Sequence, residues 1–179
     1  MNKVQNSRND ELTLNLQALA NGWMSNLSPN ASLQSDPELD YYGWLSQQAR
    51  ALRTKDTASV DWTNLAEEID AMAKRERREL RSRLKNLFAH LLKWKFEVEH
   101  RSSSWKGSIT LARQEISELL DDSPSLRGYL TDFIPPEYEK ARQLASDETG
   151  LQLNDFPQSC PWDFTKFIRR DFWPEPRRN

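Results

Sequence analysis

One stretch without glycine or proline, from Trp62 to Phe96, constrains the fold more than any other part of the chain. As a single helix it would be about 50 Å long. A helical wheel places one arc of apolar side chains along its length. The arc is formed by Trp62, Leu65, Ile69, Met72, Leu80, Leu84, Leu87, Leu91 and Trp94. The pattern therefore predicts an amphipathic helix whose apolar face is covered by neighbouring helices.

The rest of the chain predicts further helices and no strand. We expect these helices at about 41–54, 102–121, 124–133 and 136–148. Asp40, Asp61 and one of the serines at 102–104 are suited to cap helix N-termini. Pro135 and Pro136 are expected to end the third of these helices, because proline cannot donate the helical hydrogen bond. Since nothing alternates with period two over a strand length, the predicted fold class is all-α.

The two ends of the chain differ in composition. Residues 1–38 are rich in Asn, Ser and Gln and predict a flexible or weakly helical N-terminal extension. Residues 39–175 are predicted to form a single helical domain, and 176–179 a tail. The segment 156–173 is rich in Trp and Phe, so we expect it to pack onto the bundle. The predicted architecture is an irregular helical bundle organised around one long central helix.

Net charge, hydropathy and cysteine count limit the cellular compartments and the classes of partner to be expected. The net charge of −2 favours neither polyanionic nor polycationic partners as a class. No stretch approaches the ~18 consecutive apolar residues of a membrane span. Cys160 is the only cysteine, which excludes an intrachain disulfide and fits a reducing compartment. We expect a cytoplasmic protein with no membrane association.

Several short sequences in one order carry a family resemblance. They are DWTNLAEEI at 61–69, HLLKW at 90–94, RSSSW at 101–105, FPQSCPW at 156–162 and DFWP at 171–174. Together they resemble the bacterial family catalogued as domain of unknown function twenty-nine, over roughly residues 41–174. The resemblance implies an all-helical domain of bacterial origin. It brings no reaction, cofactor or catalytic residue with it.

Three ionisable residues at intervals of seven fall on or beside the apolar arc: Glu76, Arg83 and His90. A charge that faces an apolar surface costs several kcal/mol unless it is paired. As a catalytic site, His90 would be the acid or base, and Arg83 or Arg101 would bind an anion. The structural alternative is a buried salt-bridge network that fixes helix register, or side chains that reach solvent.

A basic stripe occupies the opposite side of the same helix, at Lys74, Arg78, Arg81 and Lys85. It is the candidate nucleic-acid-binding surface. No aromatic residue interrupts 74–85, and the mixed charges before it are typical of a solvated helix face. We therefore do not expect nucleic acid to be the main partner.

A third candidate is a small-anion site near the predicted helix start at 102–104. Arg101, Ser102 and Ser104 supply a cation and hydroxyls there, and Arg113 could join them from the next turns of that helix. The alternative is that serine caps the helix while Trp105 packs. No metal site and no cofactor are predicted, since Glu97-x-x-His100 occurs once and CxxC, HExxH and glycine-rich phosphate motifs do not occur.

The wealth of Trp and Phe beside few catalytic residue types favours a protein–protein interaction or regulatory module without catalysis. Self-association is one form that such an interaction could take. Two alternatives stay open. One is an enzyme or anion-binding protein that uses the Glu/Arg/His cluster, and the other is nucleic-acid binding through residues 74–85.

Overall fold

The computed structural model describes residues 36–177, and within that range the chain is all-α with no strand. The helices are α1 Tyr41–Thr54, α2 Trp62–Phe96, α3 Ser103–Asp122, α4 Leu130–Thr149 and α5 Phe164–Phe167. Short 3-10 turns occupy 57–59, 98–100, 124–129 and 153–155. The predicted fold class and the predicted long helix are confirmed. The extension predicted at 1–38 lies outside the described residues except for its last three.

The chain divides into two compact units, one ending at Leu65 and one beginning at Ala66. In the first unit, the Asp40 carboxylate caps α1 by accepting from the Gly43 N–H at 2.9 Å. Trp44 is buried, and the backbone N–H of Asp61 donates to Gln48 Oε1 at 2.7 Å. The Asp61 carboxylate in turn accepts from the N–H of Asn64, as expected of a cap at the start of α2.

The core of the second unit forms around the later turns of α2. The fully buried positions of this part are Leu80, Leu84, Leu87, Phe88, Ala89, Leu91 and Leu92. Apolar side chains of α3 and α4 complete the same cluster, among them Ile109, Ile116, Tyr138 and Ala141. The ring of Phe88 meets both Tyr138 and Phe167 edge-on, with centroids 5.6 and 4.9 Å away. α2 is therefore the central helix of this unit, as predicted.

The aromatic C-terminal segment packs onto the bundle as expected. Phe156 and Phe167 are buried, and Trp173 lies against Trp94 with ring centroids 4.7 Å apart. Arg113 of α3 holds the segment through hydrogen bonds to its backbone: Arg113 Nε donates to the Phe167 carbonyl at 2.7 Å. Its Nη2 donates to the carbonyl of Phe172 at the same distance. One buried cation thus supplies donors to two turns of a segment that has little regular structure.

The prediction that Pro135 and Pro136 end a helix is wrong, because both lie inside α4. They fall in its second turn and remove the hydrogen bonds that the carbonyls of Thr131 and Asp132 would accept. Thr131 and Asp132 are exposed, so water can donate to their carbonyls instead. The helix continues to Gly150, whose φ of 75° provides the expected left-handed C-cap.

The prediction that the apolar arc of α2 is covered along its whole length is also wrong. Ile69 and Met72 are 58% and 55% exposed, and full burial begins only at Leu80. A helical wheel gives the direction of each side chain but carries no information on how far the covering helices extend.

Candidate functional site

Two adjoining surface grooves on the second unit, of about 370 and 280 Å³, share Arg78 and Arg81. We call their chemically distinctive lining the basic–aromatic face. It comprises Lys74, Arg77, Arg78, Arg81, Lys85, Tyr129, Phe133, Glu137 and Lys140. Six cations and one carboxylate give this face a net charge of +5. Its centre is the predicted basic stripe of α2.

Two aromatic rings lie beside that stripe. Tyr129 ends the 3-10 turn before α4 and Phe133 follows one turn later, which brings the rings together. The rings are stacked, with centroids 5.6 Å apart and an interplanar angle of 17°. The guanidinium of Arg77 lies 5.6 Å above the Tyr129 ring, and that of Arg81 lies 5.5 Å from the Phe133 ring. We call these four groups the planar ladder.

A buried carboxylate holds one end of the ladder. Glu137 is 3% exposed and accepts from Arg81 Nε at 2.7 Å and from Lys140 Nζ at 2.9 Å. Both partners reach it from the protein surface, which offsets the cost of burying a carboxylate. The other four cations of the face have no carboxylate within ion-pair distance in the described part of the chain. These four are Lys74, Arg77, Arg78 and Lys85.

The helical wheel identified four of the six cations, Lys74, Arg78, Arg81 and Lys85, but not Arg77, Lys140 or the aromatic rings. Within 74–85 itself, no aromatic residue interrupts the stripe. Tyr129 and Phe133 reach the stripe from another helix, and the sequence spacing of α2 carries no signal of that contact. The only sequence signal close to these rings is Pro124, which opens the 3-10 turn at 124–129. It indicates that α3 has ended and that the chain turns there.

The structure does not bring Glu76, Arg83 and His90 together. They follow one another at intervals of roughly 10 Å along α2. Glu76 is exposed, so the expectation that it faces the core is wrong: at its level the arc is uncovered. Arg83 is closed between Glu79, whose Oε1 accepts from Nε at 3.1 Å, and Glu115 of α3.

His90 occupies a half-buried position of its own. Its Nδ1 lies 2.9 Å from the backbone carbonyl of Asn86. Burial lowers the pKa of His90 and outweighs the hydrogen bond to the Asn86 carbonyl, which raises it; the weaker effects of Lys93, which lowers the pKa, and Glu148, which raises it, follow. The imidazole is therefore mostly neutral at pH 7.

The predicted anion-binding residues are engaged elsewhere. Ser102 Oγ accepts from the Trp105 N–H at 3.2 Å and caps α3. Arg101 donates from Nε to the Trp94 carbonyl at 2.8 Å and lies over the Trp94 ring. Ser104 is exposed. Arg113 faces the C-terminal segment, where burial lowers its pKa to about 10, so it remains charged at neutral pH.

Glu97, His100 and Cys160 are further side chains of types that can bind metal or act as nucleophiles. His100 Nδ1 lies 2.6 Å from Glu97 Oε2 at the end of α2. Within residues 36–177, no three His, Cys, Asp or Glu side chains are grouped so that they could hold a metal ion. Burial raises the pKa of the Cys160 thiol, which disfavours its nucleophilic thiolate form.

These features define an all-α bundle protein that displays a compact group of cations around a stacked aromatic pair. The chain belongs to the family described as Domain of unknown function DUF29, whose model matches residues 38–173. The family resemblance is thereby confirmed. Comparison with curated proteins and with solved structures gives no match. None of the helices that the structure describes is both long enough and apolar enough to cross a membrane.

Proposed function

We propose that this protein binds nucleic acid through the basic–aromatic face. The observation that carries the proposal is the concentration of six cations, four of them without a carboxylate partner in the described residues, around a stacked aromatic pair in which Tyr129 is 39% exposed. Neutralising phosphates releases condensed counterions, which drives binding whatever the sequence. Aromatic rings add contact with bases.

The extent of the face favours a polymer over a small anion. From Lys74 to Lys85 the cations follow α2 for about 16 Å at the helical rise per residue. A single phosphate or carboxylate would contact two or three of these side chains. A polynucleotide can engage the whole row, because its phosphates repeat along the strand. The net charge of the whole chain is −2, so the positive charge is concentrated at this face and is not spread over the surface.

The test measures fluorescence anisotropy of a labelled oligonucleotide over a range of salt concentrations. We compare the parent protein with Lys74→Ala/Arg78→Ala, which removes two exposed cations from the face. We expect the double variant to weaken binding roughly tenfold at low salt and to reduce the slope of log affinity against log salt by about 1–2.

Lys166→Ala/Arg170→Ala is the matched control, since it removes two charges from the C-terminal segment and leaves the face intact. It should bind almost as the parent does. An equal loss in both double variants would point to net charge alone and would contradict the proposed site. Failure of the parent to bind any oligonucleotide at low salt would end the proposal.

A separate observation favours a second candidate, association with another copy of this chain. Within residues 66–79, Ile69 and Met72 are exposed on one side of α2, and Ala66 and Ala73 flank them. The net charge reverses along this stretch: Glu67, Glu68 and Asp70 come first, and Lys74, Arg75, Arg77 and Arg78 follow and outnumber Glu76 and Glu79. Two such helices placed antiparallel would match acidic turns with basic turns, which favours a two-fold symmetric pair.

Light scattering after size exclusion tests this association. If the pair forms, Met72→Glu should shift the parent dimer to monomer, because it places a charge in the shared apolar strip. Leu111→Glu is the control, since Leu111 is similarly exposed, at 55%, on α3. A parent that is monomeric at high concentration would contradict the second candidate and would leave nucleic-acid binding untouched.

We also propose a cytoplasmic location for this activity. A single cysteine, which cannot form a disulfide within the chain, supports a reducing compartment. Fractionation of cells that express the tagged chain tests the location, and recovery outside the cytosolic fraction would contradict it.

A further inference from the structure

We infer that the nucleic acid bound by the basic–aromatic face is single-stranded, with an unpaired base stacked on the planar ladder at Tyr129. This inference rests on the proposed nucleic-acid binding and adds the form of the ligand. It follows from the arrangement of Arg77, Tyr129, Phe133 and Arg81, and the number of positive charges plays no part in it.

The ladder presents planar groups of the two kinds on which proteins stack unpaired bases, aromatic rings and guanidinium planes. In a duplex both faces of each base are already stacked on neighbouring pairs. A duplex would therefore contact the cations through its phosphates and leave the rings unused. A single strand can turn a base outward, since every base offers a π face whatever its identity.

The two ends of the ladder differ in hydrogen bonding and in exposure to solvent. This difference indicates at which end a base can stack. At one end, Glu137 fixes Arg81 through a 2.7 Å hydrogen bond, and the Phe133 ring is partly buried. At the other end, Tyr129 is 39% exposed. Arg77 lies above it, and no described carboxylate pairs with that guanidinium. Arg77 can therefore swing aside or stack on an entering base, so the open end of the ladder at Tyr129 is the base site.

Phosphate contacts and base contacts then belong to different residues. Lys74, Arg78 and Lys85 line the grooves beside the ladder and are placed to follow a backbone. Loss of such a cation reduces the salt dependence of binding, whereas loss of a stacking ring lowers affinity at every salt concentration. The two contributions can be measured separately.

The experiment titrates one labelled oligonucleotide, single-stranded and then annealed to its complement, against the parent protein and three variants. Tyr129→Leu removes the ring, and Tyr129→Phe keeps it. Tyr42→Leu is the matched control, because Tyr42 is an exposed tyrosine that does not belong to the face. The circular dichroism of each variant confirms that the helices are intact.

We expect the parent to prefer the single strand by about tenfold, a typical effect of one stacked base. Tyr129→Leu should lose that preference with an unchanged salt slope, while Tyr129→Phe and Tyr42→Leu should keep it. If duplex and single strand bind the parent equally and Tyr129→Leu has no effect, the inference is overturned while nucleic-acid binding stands. If neither form binds at low salt, the proposed function itself fails.

Discussion

The two parts of α2 within the second unit, residues 66–79 and 80–96, follow the same apolar period and have different fates. In the earlier part, Ile69 and Met72 are more than half exposed. In the later part, Leu84, Leu87 and Leu91 are completely buried. Periodicity therefore decides which side of a helix is apolar, and the length of the neighbouring helices decides how much of that side is buried. The exposed part therefore adds little to the core, and the buried part stabilises the fold.

The charged residues of α2 also differ between its exposed part and its buried part. Arg83, level with the core, is closed by Glu79 and Glu115, and hydrogen bonds to both raise its pKa further. Arg77 lies less than two turns earlier, over the ring of Tyr129, and has no carboxylate partner among the described residues. Two arginines of the same helix thus differ in availability, because Arg83 faces an acidic neighbouring helix and Arg77 faces an aromatic ring.

The largest effect is expected from Phe88→Ala, which removes a ring that is 0% exposed and contacts Tyr138 and Phe167. We expect the free energy of unfolding to fall by about 3–5 kcal/mol, from the loss of burial and the cavity that remains. Urea denaturation followed by circular dichroism measures it.

Ile69→Ala in the exposed part of α2 is the comparison, and it should change the free energy of unfolding by no more than about 0.5 kcal/mol. A cost for Ile69→Ala close to that for Phe88→Ala would show that Ile69 is covered in solution, which would break the division between the two parts.

Next in size is Arg113→Met, which keeps the bulk of a buried side chain and removes its donors. The buried carbonyl of Phe167 then loses its partner, at roughly 1–3 kcal/mol for a buried acceptor that stays unsatisfied, while the part-buried carbonyl of Phe172 can accept from water instead. Because the C-terminal segment packs over the later part of α2, loosening should be visible as a change in the total tryptophan emission, to which the contacting pair Trp94 and Trp173 contributes. Arg169→Met, at an exposed position of the same segment, should leave both the emission and the stability close to those of the parent.

The secondary structure of the chain could largely be predicted because its local signals are strong. α2 begins after Asp61 and ends at Phe96 as the missing glycine and proline suggest, and Gly150 ends α4. The failure at Pro135 and Pro136 has a local cause. Proline is tolerated in an early turn where the orphaned carbonyls reach water, and sequence alone did not show that exposure.

The candidate site was only half predictable, because its two components come from different helices. The stripe of Lys74, Arg78, Arg81 and Lys85 follows from helical geometry alone. The approach of Tyr129 and Phe133 depends on the turn that leads into α4, and no periodicity encodes it. Conversely, the helical wheel correctly placed Glu76 on the apolar arc, but the inference of burial failed because the arc is uncovered there.

A smaller effect is expected from pH, in the buried part of the helix. The pKa of His90 is lowered in the folded protein, chiefly by burial, so the unfolded chain binds the proton more readily. The stability that the neutral imidazole contributes is present above the unfolded value near 6.5 and is lost as the pH falls from there through the folded pKa.

The slope from this one proton is at most about 1.4 kcal/mol per pH unit. His90→Gln should flatten the dependence of unfolding free energy on pH between about 5 and 7, where an unshifted histidine titrates. His100→Gln serves as the control at the other histidine of the chain. An identical pH profile in the parent and in His90→Gln would refute the assignment.

The smallest effect is expected at the ion pair between Arg75 and Glu68, in the part of α2 that the core does not cover. Arg75 Nη2 donates to Glu68 Oε1 at 2.8 Å, but the arginine side chain is 60% exposed. Solvent screening and the entropy of ordering two long side chains leave such a pair worth less than about 0.5 kcal/mol. Arg75→Ala should therefore hardly change the urea midpoint, and added salt should remove any difference.

A loss above about 1 kcal/mol would mean that this surface is desolvated by a partner under the conditions used. Repeating the measurement at several protein concentrations would then reveal self-association, because only an associated state depends on concentration.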